Sequence, residues 1–375
     1  MIDPRLFYKE LNNNAISFFA GVPDSLLKNF LGFISDFVPS NKNIITANEG
    51  AAIALAAGYH IATNKIPMVY MQNSGLGNAI NPLLSLADRE VYSIPMILMI
   101  GWRGEPNIKD EPQHIKQGRI TPALLNTLEI PYIILSKFSN TKQIVHDIVK
   151  ICQNDSKPVA ILVKKGTFSD YKVKKKNPSE YILSREEALK EVLNHIPHNS
   201  IVVSTTGKLS RELFEIREKM CSSHETDFLT VGSMGHSSQI ALGIAIAKPN
   251  KSVYCFDGDG SALMHLGSYA LIGQLAPRNL KLIIFNNGAH DSVGGQPTIN
   301  FDISLPKSAE SFGIKSVETA INIEEIKEKL PQCVNANQLS LLEIRLCKGA
   351  RNNLGRPTST PLENINQLKA YLENE

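Results

Sequence analysis

Two polar signatures, Asp257-Gly258-Asp259-Gly260-Ser261 and Asn286-Asn287-Gly288, place Asp259 and Asn287 28 residues apart in this chain. Each closes an apolar run of strand length, VYCF and LKLIIF. In neighbouring parallel strands, the Asp259 carboxylate and the Asn287 amide would stand side by side at the strands' carboxyl ends. Hard oxygen donors so placed suit a divalent cation held against a diphosphate. The stretch between them, HLGSYALIGQL, reads as one helix. An aspartate at a strand end is common by itself. GDGS followed at this distance by NNG is much more specific.

Three loops in the same half follow strand-like runs. Thr205-Thr206-Gly207-Lys208 follows SIVVS, Gly232-Ser233-Met234-Gly235 follows DFLTV, and Gly258-Asp259-Gly260-Ser261 follows SVYCF. Small residues let backbone N–H groups approach phosphate oxygens. One such loop is usually a tight turn, whereas three together favour a phosphorylated ligand. The other half offers Glu49, between a strand end and the small-residue helix TANEGAAIALAAGYH. A glutamate at a helix start commonly answers the macrodipole. Beside a helix this rich in Ala and Gly it could instead be desolvated at an interface, where its pKa rises and it can share a proton with a ring nitrogen. Gln72, Asn73, Ser74 and Asn78 add polar groups after a further strand.

The elements needed to position these residues form two α/β halves. In the first, IITA (44–47), PMVYMQ (67–72), PMILMIG (95–101), YIIL (132–135) and VAILV (159–163) read as strands, with a helix over residues 49–62. The second contains SIVVS, DFLTV, SVYCF, KLIIF and LLEIR. The spacing predicts modules at 1–165 and 184–375, the latter with a C-terminal tail, joined by a polar linker over 166–183. Ser184 and Glu187 predict a capping box opening the second module. Both modules should be parallel sheets covered by helices, with ligands outside the strands' carboxyl ends.

A chain of 375 residues, 43% hydrophobic, can bury two cores. The formal net charge of +3 and the scattered basic residues, apart from Lys172–Lys176, call for no nucleic-acid partner. No apolar run reaches the roughly 20 residues of a membrane span. The N-terminus lacks a basic region followed by an apolar one. Five widely spaced cysteines form no CxxC pair, so reduced thiols in a cytoplasmic protein are expected.

Together these segments resemble the two-module core of thiamine-diphosphate-dependent decarboxylases. The first half is similar to the pyrimidine-binding module and the second to the diphosphate-binding module, with no middle domain. More narrowly, GVPDSLLK (21–28), NEGAAIALAAGYH (48–60), VYMQNSGLGNAINPL (69–83), GWRGEPNIKDEPQHIKQG (101–118), STTGKLSREL (204–213), GSMGHSS (232–238), NNGAHDSVGGQPT (286–298) and LGRPTSTP (354–361) resemble the phosphonopyruvate decarboxylase family. Sulfopyruvate decarboxylase is the near relative. The DEPQH run and the Ala-His pair after Asn287-Gly288 favour the phosphonate enzyme.

The resemblance implies roles. Glu49 contacts N1′ of the aminopyrimidine. Asp259 and Asn287 bind Mg²⁺ through their side chains, and Ala289 through its main-chain carbonyl. Ser74, Thr206, Gly207, Ser233, Gly258, Gly260 and Ser261 belong to the cofactor site, and Met234 lies under the bent cofactor. The implied reaction converts 3-phosphonopyruvate to phosphonoacetaldehyde and CO2, in phosphonate biosynthesis. Sulfopyruvate giving sulfoacetaldehyde is the alternative. A non-catalytic diphosphate-binding module is more remote, since Glu49, Asp259 and Asn287 are all present. A dinucleotide-binding dehydrogenase lacks its GxGxxG with an acidic residue about 20 positions on. The substrate's anionic head requires cations. Arg103, Lys109, His114, Lys116 and Arg119 cluster after PMILMIG, either as that site or as a solvated loop around Asp110 and Glu111. Asp24 either reaches the substrate or caps a helix. His290 and Asp291 either transfer protons or are structural. Arg351 and Arg356 would close over the anion if the tail folds back. A homodimer or dimer of dimers is expected, with sites at subunit interfaces.

Overall fold

The structure, a computed structural model, describes residues 1–174, 179–299 and 301–373. It comprises two compact units, Met1–Asn177 and Pro178–Glu375.

In the first unit the strands are β1 (Phe19–Gly21), β2 (Asn43–Ile45), β3 (Met68–Gln72), β4 (Ile97–Gly101), β5 (Tyr132–Leu135) and β6 (Val159–Val163). The helices are α1 (Pro4–Asn13), α2 (Lys28–Phe37), α3 (Glu49–Thr63), α4 (Leu76–Pro82), α5 (Pro112–Thr127) and α6 (Thr141–Asp155). The sheet is parallel, in the order β2-β1-β3-β4-β6-β5. ILMIG and VAILV are buried along their whole length because helices cover both faces. One core joins Phe7, Phe30 and Phe168; the other takes Ala52, Ile53, Ala56 and Ala57 from α3. Connections leave β1 towards β2 on one side and β3 lies on the other, so the switch point falls between β1 and β3. The three-residue β1 carries no strand-length pattern of its own and was not expected.

Thr167 and Phe168 are buried in this unit, and Tyr171 donates its hydroxyl to Asp36 at 2.8 Å. The first part of the expected linker therefore packs on the first unit. Residues 175–178, including Lys175 and Lys176 of the basic run, lie outside the described residues.

In the second unit the strands are β7 (Ile201–Ser204), β8 (Asp227–Leu229), β9 (Val253–Gly258), β10 (Leu280–Asn286), β11 (Ala289–His290), β12 (Gln296–Pro297), β13 (Ser316–Ala320) and β14 (Ser340–Arg345). The helices are α7 (Arg185–His195), α8 (Lys208–Lys219), α9 (Ser237–Ala247), α10 (Asp259–Met264), α11 (Ser268–Leu275), α12 (Leu305–Ser311), α13 (Ile323–Asn335) and α14 (Pro361–Glu373). The main sheet is parallel, in the order β13-β14-β10-β9-β7-β8, while β11 and β12 form a small antiparallel hairpin. The capping box at Ser184 and Glu187 is present. The single helix expected between the two signatures is in fact two, α10 and α11. His265 leaves helical geometry at φ −134° and ψ 45°, and Gly267, a poor helix former, stands at the break. Asn364 of α14 closes the edge at β8, accepting from Leu229 N–H at 3.0 Å and donating to Asp227 C=O at 2.8 Å.

Candidate active site

In the second unit the switch point lies between β7 and β9, and four loops converge there. Ser261 ties three of them together. Its Oγ lies 2.9 Å from Thr205 Oγ1 and accepts from Gly235 N–H at 3.0 Å. Gly207 opens α8 at φ +105°, a conformation side chains resist, and a Cβ there would press on Ser292 beyond the fourth loop. Asp259 opens α10 and is buried, accepting from Thr298 Oγ1 at 2.5 Å. Asn287 is buried one residue past β10, its Oδ1 accepting from Ala289 N–H at 3.2 Å. The Met234 methyl and the His290 ring both face Gly260, where a Cβ would crowd them. Burial lowers the His290 pKa to about 4, although Asp291 pulls it upward. Burial raises Asp257 to about 6, against hydrogen bonds that favour its charge.

In the first unit Glu49 is 5% exposed at the start of α3. Asn78 of α4 donates to its Oε2 at 2.8 Å, and a Cβ on Gly75 would overlap the carboxyl group. Burial raises the Glu49 pKa; Asn78 opposes this without cancelling it. Across the β1/β3 switch point lies a second buried acid. Asp24 accepts from Gln72 Nε2 at 2.7 Å and from Leu26 N–H at 2.9 Å. Ser74 Oγ donates to Gln72 Oε1 at 2.8 Å, which turns the amide's NH2 towards Asp24. Burial also raises the Asp24 pKa. The α2 helix starts at Lys28 with Leu27 as its cap residue and no side-chain capping bond, so Asp24 is not its N-cap.

The expected anion cluster divides. Arg103 is held by Asp110 through Nε (2.8 Å) and Nη2, and by Ser25 through Nη1 (2.9 Å). Asp110 also accepts from Gly104 and Glu111 N–H, each at 2.8 Å, folding the loop around its carboxylate. Lys109, Lys116 and Arg119 are exposed, and His114 is buried in α5. The tail does dock on its own unit: Arg351 pairs with Glu186 at 2.8 Å and with Glu215. Sequence reading passed over Thr298 and Arg185. Their partners lie 39 and 27 residues away, at Asp259 and Glu212, and spacing alone carries no signal for such contacts.

Two family models match the chain. The thiamine pyrophosphate enzyme N-terminal TPP binding domain covers residues 5–124, and the C-terminal TPP binding domain covers 206–344. A phosphonopyruvate decarboxylase from Streptomyces viridochromogenes is 33% identical over 94% of this chain and 90% of its own. The chain belongs to the phosphonopyruvate decarboxylase family of thiamine pyrophosphate enzymes. The phosphonopyruvate decarboxylase of Streptomyces hygroscopicus is 32% identical over 94% of this chain and 89% of its own. A sulfopyruvate decarboxylase from Methanosarcina acetivorans is 27% identical over 97% and 96%. Membership makes the chain a thiamine-dependent carboxy-lyase. Among the described residues no helix is long and apolar enough to cross a membrane.

The donors present fit the family's cofactor. Glu49 is a buried carboxyl with a raised pKa, as a proton partner for a ring nitrogen requires. Among the described residues no three His, Cys, Asp or Glu side chains cluster as a metal cage. Mg²⁺ needs no such cage, since it is commonly held by one or two carboxylates together with phosphate oxygens and neutral oxygens. Asp259, the Asn287 amide and the Ala289 carbonyl make a donor set of that kind.

Proposed function

We propose that the chain decarboxylates 3-phosphonopyruvate to phosphonoacetaldehyde and CO2, using thiamine diphosphate and Mg²⁺, in phosphonate biosynthesis. Likeness to the Streptomyces viridochromogenes enzyme along nearly the whole of both chains carries this reading. When bound, thiamine diphosphate supplies the electron sink that a 2-keto acid lacks. The protein's own groups do the rest. Glu49, whose pKa burial raises, shares a proton with the aminopyrimidine, while Asn78 fixes the carboxyl's orientation. Asp259, Asn287 and the Ala289 carbonyl hold Mg²⁺. Thr206, Gly207, Ser233, Gly258 and Gly260 offer their backbones to the diphosphate, and Met234 supports the ring system. Ser261 acts mainly as the strut joining three loops, since its hydroxyl is engaged by Thr205 and Gly235.

Asp24, whose pKa burial raises, is the candidate for proton delivery to the product, with Gln72 and Ser74 setting its geometry. His290, which burial keeps neutral at physiological pH, is placed to accept a proton in that site and not to deliver one. Lys109, Lys116 and His114 remain on the anion-binding side of the proposal. Arg103 can join them only by exchanging Asp110 for the substrate's phosphonate, a replacement of one oxyanion by another that suits its planar fork. The chain assembles as a homodimer, or a dimer of dimers, whose sites draw on two copies.

The 27% identical relative from Methanosarcina acetivorans supports a second reading, in which sulfopyruvate is the substrate. Both acids carry a tetrahedral oxyanion beside the keto group, so the choice is quantitative. Comparing kcat/KM for the two keto acids, with pyruvate as control, decides it. Phosphonopyruvate should lead. A lead for sulfopyruvate would transfer the assignment, and a lead for pyruvate would remove the anion site.

A further inference from the structure

Asp291 lies one residue beyond β11, and its Oδ2 gathers donors from three parts of the second unit. Asn287 Nδ2 donates to it at 2.6 Å. The Gly349 N–H, beyond β14, donates at 3.0 Å. Arg185 Nη1, at the start of α7, lies 3.5 Å away. Arg185 is itself fixed, with Nε and Nη2 donating to the two carboxylate oxygens of Glu212 at 2.6 and 2.9 Å, both residues being buried.

An amide side chain has two nearly isosteric ends, one a donor and one an acceptor. A carboxylate paired with Arg185 accepts and does not donate. Opposite Asp291, therefore, only the flip that presents NH2 is bonded; the other would set two acceptors against each other. Asn287 Oδ1 is turned away from Asp291, towards the Ala289 N–H. Oδ1 is the amide's only lone-pair donor suited to a hard cation, so it is the atom through which Asn287 would hold Mg²⁺.

We propose that Asp291, anchored by the Arg185–Glu212 pair, is the positioning residue that selects the flip of the Asn287 amide and so sets the Mg²⁺ affinity of the site. The inference rests on Asp259 and Asn287 being the metal ligands. Partners that orient a metal ligand are commonly worth about 10–100-fold in affinity. Asp291 acts through Asn287 and not on substrate, which removes it from the proton-transfer candidates.

The test is calorimetric titration of Mg²⁺ into the full chain with thiamine diphosphate present. In Asp291→Asn, of nearly the same shape, the side chain at 291 can bond either end of the Asn287 amide, so only the Ala289 N–H still favours the metal-binding flip, and Mg²⁺ should bind about 10–100-fold more weakly. The metal-free melting temperature should stay close to the parent's. Arg185→Lys keeps a cation beside Glu212 but withdraws the fork from Asp291, and should lose less affinity in the same direction. If Asp291→Asn does not fold, Arg185→Lys decides. Parent-like binding, within twofold, in the folded variants would overturn the positioning role while the metal site stands. No Mg²⁺ binding by the parent, or unchanged binding in Asp259→Ala, would remove the metal assignment and this inference with it.

Discussion

Burial shapes the acid–base behaviour of Glu49 and Asp24, and with it the chemistry open to them. Each is a carboxyl taken out of water without a cation close enough to stabilise its charged form fully, so each pKa rises. Glu49→Gln keeps the shape and the Asn78 contact but cannot exchange a proton. It should retain thiamine diphosphate binding and lose turnover by about 10²–10⁴-fold; a fall of less than tenfold in steady-state assays would contradict its role. Asp24 gives a sign for pH. The unfolded chain ionises Asp24 near 3.8, while the folded chain keeps its proton to higher pH. Stability contributed by this group is therefore present below pH 4 and is lost as pH rises towards the folded value. Asp24→Asn should lessen the decline in urea midpoint between pH 4 and pH 7, and equal declines in parent and variant would argue against a raised pKa. The sequence left Asp24 between capping and substrate contact. What decided its setting was Gln72, 48 residues away, bonded across the switch point. Residue types at a strand end can be read from sequence; which side chain meets them from another strand cannot.

At the scale of elements, the apolar runs marked nearly all the long strands, since a strand buried on both faces must be apolar throughout. Two strands of the main sheets escaped, as did the two-residue hairpin strands β11 and β12. FAG of β1 is too short to show a pattern, and SVETA of β13 is an edge strand whose mixed polarity matches its mostly half-buried positions. The loop between β4 and α5 shows how tightly elements fix the proposed substrate side. Gly118 of α5 packs against the backbone of Gly104, where a Cβ would overlap the carbonyl oxygen. Gly118→Ala gains about 1 kcal/mol of helix propensity but must push the loop away, at about 1–3 kcal/mol. A net loss in urea stability and a raised KM are expected; a more stable variant with unchanged KM would show that the loop yields freely. The Asp110 carboxylate is the same loop's other fastening. Burial works to raise its pKa, but Arg103 and two backbone N–H groups outweigh it and hold it below the usual carboxylate range. Its contribution is thus present above the unfolded value and lost only in strong acid. Asp110→Asn should destabilise the loop at pH 7, read as faster amide exchange over residues 104–111. Exchange no faster than the parent's would assign the loop's order to other contacts.

At the scale of the whole molecule, the two-module plan was legible because each half repeats strand and helix with its own glycine loops. The extent of the linker was less so, because Thr167 and Phe168 sit in a polar sequence yet are buried in the first unit. The proposed homodimer makes a sharp prediction. Glu49→Gln and Asp259→Ala lie in different units, and each should be nearly inactive alone. If sites draw on two copies, refolding the two variants together should restore activity, because a mixed dimer contains one site with neither substitution. Mixed dimers without activity would place both residues of each site in one copy. The account as a whole rests on a buried acid in α3 acting on thiamine diphosphate, and this can be measured without substrate. Deuterium exchange of the C2 proton of the bound cofactor should be far faster with the parent protein than free in solution. It should fall back towards the free rate with Glu49→Gln, although the cofactor remains bound. Exchange as fast in the variant as in the parent, or no faster in the parent than in solution, would contradict the account.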